Sequence, residues 1–326
     1  RYPLFCAMDA DSLLERDALS RITRPFLADR RTVAAGGVVR VANGSRVEAG
    51  IVTDVKLPNG LLPRFQVLEY LRAFLAGRVG WDAVGASLII SGAFGVFRRE
   101  IVADAGGFAT DTVGEDMELV VRLHRHCRDR RIPYHIAFVP DPVAWTEAPA
   151  DRASLRSQRD RWQRGLAQTL TRHRGMVFNP RYGVVGMVAM PAQVAFELIG
   201  PVIEALGYLA LALSIVLGVT NTAFVVAFLA LAVFLGSALS VVAVGLEELT
   251  FRRYERRRDL AILLGLALVE SFGYRQLTTA WRIGGLWSAV RKKAGWGAIA
   301  RQGFSPPSPD PDSHRAAKAA AASRPD

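Results

Sequence analysis

A chain of 326 residues has room for about two domains, and this one combines an apolar fraction of 51% and a mean hydropathy of +0.19 with a net charge of +11. The distribution excludes one soluble domain: residues 1–180 are charged and mixed, whereas residues 184–246 hold only Glu197 and Glu204 as charged side chains. A run so much longer than the ~20 residues that cross a bilayer calls for membrane helices and excludes a single core helix. The basic excess beside such spans points to anionic lipid headgroups and a nucleotide pyrophosphate, and no nucleic-acid-binding module accompanies it. Cys6 and Cys127 are the only cysteines, which excludes a disulfide framework and suits a reducing cytoplasm.

In chain order, Tyr2 to Met8 reads as a buried strand that delivers Asp9 and Asp11 to its C-terminal edge, where ligands bind in open α/β sheets. A helix is expected from about Leu13 to Leu27. Val33–Ala35 and Val38–Val41 read as strands, with Gly36-Gly37 between them as a bulge or close approach and Asn43-Gly44 as a turn. From Pro63 to Trp81, apolar Phe65, Leu68, Leu71, Leu75 and Val79 keep the helical period, with Arg64, Arg72 and Arg78 as basic markers. Such a helix lies either on the membrane surface or against the sheet. Leu88–Ile90 reads as a short buried strand ending at Ser91-Gly92-Ala93, after which Phe94 to Arg98 leads to a helix over Arg99–Ala105.

Asp116 to Asp129 is helical, His135–Val139 is a strand stopped by Pro140 and Pro142, and an Asp151 N-cap opens a helix to about His173. These elements place a catalytic unit in residues 1–180 and membrane helices in 183–290. Spans are expected at 199–219, 222–246 and 260–283. The last carries Glu270, Arg275 and Arg282, so it also reads as a re-entrant or surface helix pair. Arg252, Arg253, Arg256, Arg257 and Arg258 make the loop 247–259 cytoplasmic by the positive-inside rule. Residues 291–326 read as a basic segment, Arg291-Lys292-Lys293, and a disordered tail from about Ser305.

Three motifs along this order carry chemistry. Asp9 and Asp11, two apart at a strand end, can both reach a hard cation such as Mg²⁺ or Mn²⁺; an aspartyl nucleophile is the rival use, although the globular part offers only Lys56 as the lysine it would want. Glu115 and Asp116 at a helix start suit either the macrodipole or a general base. Gln158, Arg161 and Trp162, at i, i+3 and i+4, share a helix face. An amide, a guanidinium and an indole together suit a sugar and a pyrophosphate, or else a headgroup surface with Trp162 as anchor. Glu197 and Glu204 are costly inside a bilayer and should face protein or a polar channel. His124, His126 and His173 read as surface or supporting residues rather than metal ligands.

With these motifs in this order ahead of a long apolar segment, the sequence over residues 1–304 resembles the cytoplasmic half of a membrane-embedded, family 2 inverting glycosyltransferase. That group includes cellulose, chitin, hyaluronan and poly-N-acetylglucosamine synthases. The resemblance implies an α/β, type A nucleotide-sugar transferase domain, incomplete at its N-terminus, followed by transmembrane α-helices. It makes Asp116 the catalytic base, in the place where the family usually has Thr-Glu-Asp, with Gly114 departing from that pattern. It assigns the donor pyrophosphate to Asp9, Asp11, Arg161 and Gln158, the metal, Mg²⁺ or Mn²⁺, to Asp9 and Asp11, and the acceptor to Trp162, Glu115, Ser91 and Gly92. The wording of Arg40 to Gly44 and of Phe272 to Gln276 is similar to bacterial poly-N-acetylglucosamine synthase-like proteins.

The implied partners are a UDP-sugar, a polysaccharide acceptor, membrane lipids, and exporter subunits or a separate N-terminal half, at a bacterial inner membrane with the catalytic domain cytoplasmic. Family members carry a first nucleotide-binding strand before this point, so the expectation is a truncated or split product. Two rival expectations are a non-processive lipid-linked sugar transferase, which would have little use for Gln158 to Trp162, and an inactive fragment or assembly subunit of a polysaccharide exporter.

Overall fold

The structure is a computed structural model that describes residues 2–293 together with Gly295 and Gly303. Strand β1 (Leu4–Ala7) ends in the turn that carries Asp9 and Asp11, and β2 (Leu13–Leu14) follows. The helix expected from Leu13 starts later because Leu13 and Leu14 pair with Trp145 and Ala144; α1 (Ala18–Ala28) then buries Ala18, Ile22 and Phe26 at helical spacing.

The two expected strands around Gly36-Gly37 are one, β3 (Thr32–Val41), buried along its whole length. A Cβ on Gly36 would lie 3.0 Å from Ile90 Cγ2, which is the expected close approach, and the register shifts between Gly37 and Val38. Beyond the Asn43-Gly44 turn, where Gly44 has φ +83°, lies an unanticipated hairpin of β4 (Arg46–Glu48) and β5 (Ile51–Asp54).

The amphipathic helix is continuous as α2 (Leu61–Leu71), a π-helical turn (Arg72–Arg78) and α3 (Val79–Ala83). Its apolar face packs against the sheet, the second of the two readings, with α2 on β3, and Phe65 also stacks on Tyr274 of a later helix at 4.5 Å.

Leu88–Ile90 is not a strand. The ladder position beside β3 is taken by β6 (Gly95–Arg98), and Ile90 packs its side chain against Gly36 and Gly95 instead. Then come α4 (Arg99–Asp104), α5 (Glu115–Asp129) and β7 (His135–Thr146). Pro140 and Pro142 do not stop β7. They fall where its register against β3 slips, between Gly37↔Val139 and Val39↔Ala144, and a missing N–H is tolerated at such an irregularity. The sheet runs β1-β6-β3-β7-β2, with β3 and β7 parallel and the other pairs antiparallel. α6 (Arg152–Arg172) follows the expected cap, Asp151 Oδ1 accepting the Ser154 N–H at 2.9 Å.

Among the described residues, two helical rods are long and apolar enough to cross a membrane. Val185–Val216, in which α7 (Met190–Ala192) and α8 (Gly200–Val216) alternate with π-helical turns, begins earlier than the expected 199; the second is α9 (Thr222–Thr250). The third expected span is a bent pair: α10 (Arg257–Val269) and α11 (Tyr274–Val290) meet at 65° around Gly273, whose φ is +88°.

Several charges among these helices are paired, which offsets much of their desolvation. Arg282 meets Glu197 at 2.8 Å, Arg275 meets Glu204 at 2.8 Å, and Arg72 meets Glu270 at 2.6 Å. Arg40 of β3 forms a two-pronged pair with Glu247 of α9 at 2.8 and 2.6 Å, so the central strand is fastened directly to an apolar helix. In the basic loop, Arg253 reaches Glu15 at 2.9 Å and Arg256 reaches Asp54 at 3.6 Å. The loop therefore lies on the sheet's side of the helices. The tail expected from Ser305 lies outside the described residues.

Candidate active site

The N-terminus of α5 sets the centre of the site. Asp116 sits in its first turn, Oδ1 accepting the Met117 N–H at 2.7 Å and Oδ2 accepting the Gly92 N–H at 3.2 Å. A methyl group built on Gly92 would lie 3.6 Å from Asp9 Oδ1 and 3.9 Å from Asp116 Oδ2, so both carboxylates flank one point beside the Gly92 backbone. The Ser91 carbonyl closes the turn by accepting the Phe94 N–H at 3.1 Å. Sheet edge, turn and helix start thus bring Asp9, Ser91, Gly92, Glu115 and Asp116 together. Asp11 lies in the same turn as Asp9, half-buried.

Burial pushes the Asp116 carboxyl above the usual carboxylate range, and nearby Asp9 adds to the rise, against the two N–H donors and the Arg78 guanidinium. Glu115 is raised for the same first reason, with Asp116 and Asp9 adding and Arg161 opposing. Burial lowers both arginines, Arg78 to about 10, while Asp116 and Tyr70 hold Arg78 up and Asp9, Glu115 and Asp116 hold up Arg161. Both guanidinium groups stay charged at neutral pH. Cations beside carboxylates of raised pKa make a site that can receive an anion and take up a proton.

The expected common face of α6 is divided. Gln158 is buried with Oε1 lacking a hydrogen-bond partner, Arg161 turns its charge to the acidic cluster, and Trp162 is 43% exposed. The Arg159 guanidinium lies 4.7 Å from the Trp162 ring centroid and pairs with Glu69. A glycine pair lets α6 approach the start of α5 closely: a Cβ on Gly165 would be 2.8 Å from Gly114 Cα. The departure from Thr at position 114 is therefore matched by a glycine opposite. Gly165→Ala should force the helices apart, lowering stability by about 1 to 3 kcal/mol and reducing sugar transfer with it. A wild-type melting temperature and rate would show that the contact has slack.

Arg78, Tyr70 and Gly165 were not singled out for the site from the sequence. Arg64, Arg72 and Arg78 read there as equal markers, but Arg64 Nε donates to the Pro58 carbonyl at 2.6 Å, Arg72 pairs with Glu270, and only Arg78 acts on Asp116. The π-helical turn between Arg72 and Arg78 shifts which side of the helix Arg78 occupies, and no periodicity announces it.

Among the described residues, no histidine joins the site. His124 is buried between the Tyr134 hydroxyl at 2.8 Å and the Ser87 carbonyl at 2.9 Å, its pKa brought down to about 4 by burial, and His173 is buried against Glu118 at 3.1 Å. Among the described residues no three His, Cys, Asp or Glu side chains converge to cage an ion. A Mg²⁺-type ion needs no such cage, since it is held by one or two carboxylates plus substrate phosphates and water. The oxygen donors of Asp9 and Asp11 at the open sheet edge fit that pattern.

The family model described as glycosyl transferase family group 2 matches residues 4–237. The chain belongs to that family, and the expected class of an α/β glycosyltransferase fold followed by apolar helices stands. Among curated proteins it is similar to poly-beta-1,6-N-acetyl-D-glucosamine synthase of Staphylococcus aureus (strain COL), 27% identical over 171 residues, and to that of Staphylococcus epidermidis, 26% identical over the same length. Each match covers 52% of this chain and 37% of the relative, so the matched part spans little more than a third of those proteins. Among solved structures it is similar to the mannosyltransferase PcManGT from Pyrobaculum calidifontis in complex with GDP-Man and Mn2+, at 17% identity and a TM-score of 0.49, covering 90% of this chain and 63% of that one.

Proposed function

We propose that this protein transfers sugar from a UDP-sugar, UDP-N-acetylglucosamine or UDP-glucose, with inversion, onto a growing β-linked polysaccharide. It works as a multi-pass protein of a bacterial inner membrane with its sheet on the cytoplasmic side. The observation that carries this is the meeting of Asp9 and Asp116 at Gly92 with Arg78 and Arg161 beside them. The names of the staphylococcal relatives favour N-acetylglucosamine.

In this reading Asp116 takes the proton of the attacking acceptor hydroxyl. Its two N–H hydrogen bonds fix its orientation, and burial brings its basicity closer to neutral pH, where a general base is most effective. The acceptor oxygen bonds to the anomeric carbon as the carbon–oxygen bond to the diphosphate breaks on the opposite face. Arg161 and Arg78 stabilise the charge that develops on the leaving diphosphate. A Mg²⁺ or Mn²⁺ ion, when held by Asp9 and Asp11, supplies further positive charge to those oxygens. Gln158 offers its unpartnered Oε1 to a donor hydroxyl, Glu115 and Ser91 offer hydrogen bonds to the acceptor, and the exposed indole of Trp162 offers it a flat apolar face. The ion pairs Glu197–Arg282 and Glu204–Arg275 support a polar passage for the product along α8 and α11.

Trp162→Ala tests the acceptor platform. Stacking on an aromatic is worth about 1 to 3 kcal/mol by analogy with bases, a factor of roughly 5 to 150 in acceptor affinity. The expected product is much shorter polymer with donor binding and slow donor hydrolysis intact, and Trp162→Phe should fall between. If the length distribution is unchanged while membrane association or protein level drops, Trp162 is an interface anchor. A single-addition enzyme would likewise show no length effect.

A further inference from the structure

A cavity of about 790 Å³, sharing no residue with the acidic cluster, is walled by α1, β5 and the segment from Thr250 to Arg256 that joins α9 to α10. Its size is that of a small-molecule site, of which the usual range is ~300–1,000 Å³. Five arginines and four carboxylates line it. Asp17 is already held by Arg21 at 2.6 Å, and Asp54 by Lys56 at 2.6 Å and by Arg256 at 3.6 Å. Arg24 and Arg252, in contrast, have no ion-pair partner among the described residues.

A second observation concerns Arg252 itself. It is held at φ +49° just past the end of α9, where its N–H and that of Phe251 both bond to the Glu247 carbonyl, at 3.0 and 2.9 Å. Glycine is the usual residue for that helix-ending geometry, because a side chain is strained there. The same left-handed stop follows α5 at Arg131, with φ +56°, and α11 at Lys292, with φ +52°, so it marks the helix end from which the Arg252 side chain leaves.

We propose that this cavity binds a compact phosphate-bearing anion through Arg24 and Arg252, at a site separate from that of sugar transfer. Guanidinium groups match phosphate oxygens two at a time, which fits the observed pair of unpartnered donors. The remaining carboxylates, Asp141 and Glu255, disfavour an extended polyanion and restrict the site to a small one. The phosphate comes either from a soluble metabolite or from the headgroup of a phospholipid packed around α9.

The test uses the full-length protein in phosphatidylcholine nanodiscs titrated with inorganic phosphate, beside nanodiscs containing phosphatidylglycerol without phosphate, with thermal unfolding as the readout. Saturable stabilisation by phosphate identifies a soluble source, and stabilisation by phosphatidylglycerol alone identifies a headgroup. In either case Arg24→Gln and Arg252→Gly each weaken the effect about tenfold or more, and Arg161→Gln, which removes a cation of the acidic cluster, leaves it intact. Arg252→Gly relieves the strained backbone, so its loss of binding is not a loss of folding. The proposal is overturned by stabilisation in neither sample, by full stabilisation of Arg252→Gly, or by abolition in Arg161→Gln, which would put the anion at the acidic cluster.

Discussion

Asp116→Asn should lower the rate of sugar transfer by about 10² to 10⁴, the usual cost of losing a general base, while donor binding persists. The same substitution should change stability little at neutral pH, because removal of the buried charge offsets the loss of one of the two acceptor oxygens that meet the Met117 and Gly92 N–H groups. The folded carboxyl has a raised pKa, so its contribution to stability is fully present below the unfolded value and is lost as pH rises through the folded one. Asn carries no such penalty. In the wild type, activity should fall on the acid side at a pH above that of an ordinary carboxylate, because the base must be ionised. Parallel measurement of melting temperature and transfer rate checks this; a variant that transfers sugar at near wild-type rate removes Asp116 from the mechanism, and one that merely melts early makes its role structural.

The largest stability effect is expected at Arg40. Its pair with Glu247 is 2% and 3% exposed, and the guanidinium also lies 5.4 Å from the Phe251 ring centroid and 5.9 Å from that of Trp145. Arg40→Ala leaves the Glu247 carboxylate buried with only the weak Arg253 N–H contact at 3.4 Å, and such an orphaned charge costs about 3 to 5 kcal/mol. Replacing both partners, Arg40→Met with Glu247→Leu, should recover most of that loss, since two buried apolar groups carry no desolvation penalty. Equilibrium unfolding of the single and double variants in detergent checks it. A single variant that loses under about 1 kcal/mol would mean that water reaches the pair.

Local signals in the sequence were sufficient wherever an element's cause is local. The α6 helix begins at its Asp151 cap and ends beside His173 as expected, because cap and period lie within the segment itself. The reading of β7 stopped short at Pro140 because tolerance of a proline depends on a register slip in β3, about a hundred residues upstream and unreadable from the motif itself. Leu13 and Leu14 had the apolar period of a helix start, yet pairing with Ala144 and Trp145 won. In the candidate site, Asp9, Gly92, Glu115 and Asp116 were singled out through the family resemblance, and the structure places them near one another. Arg78 and Gly165 were missed because each acts only through a contact between distant elements, one by way of a π-helical turn and the other through a single glycine opposite Gly114.

The most direct test of the account is product analysis on membranes bearing the full-length protein, supplied separately with radiolabelled UDP-N-acetylglucosamine and UDP-glucose. The account predicts that one donor yields high-mass, β-linked polymer, that Asp116→Asn yields none, and that Trp162→Ala yields short chains. Label confined to a single sugar on a lipid, or the same high-mass product from the Asp116→Asn membranes, would contradict it.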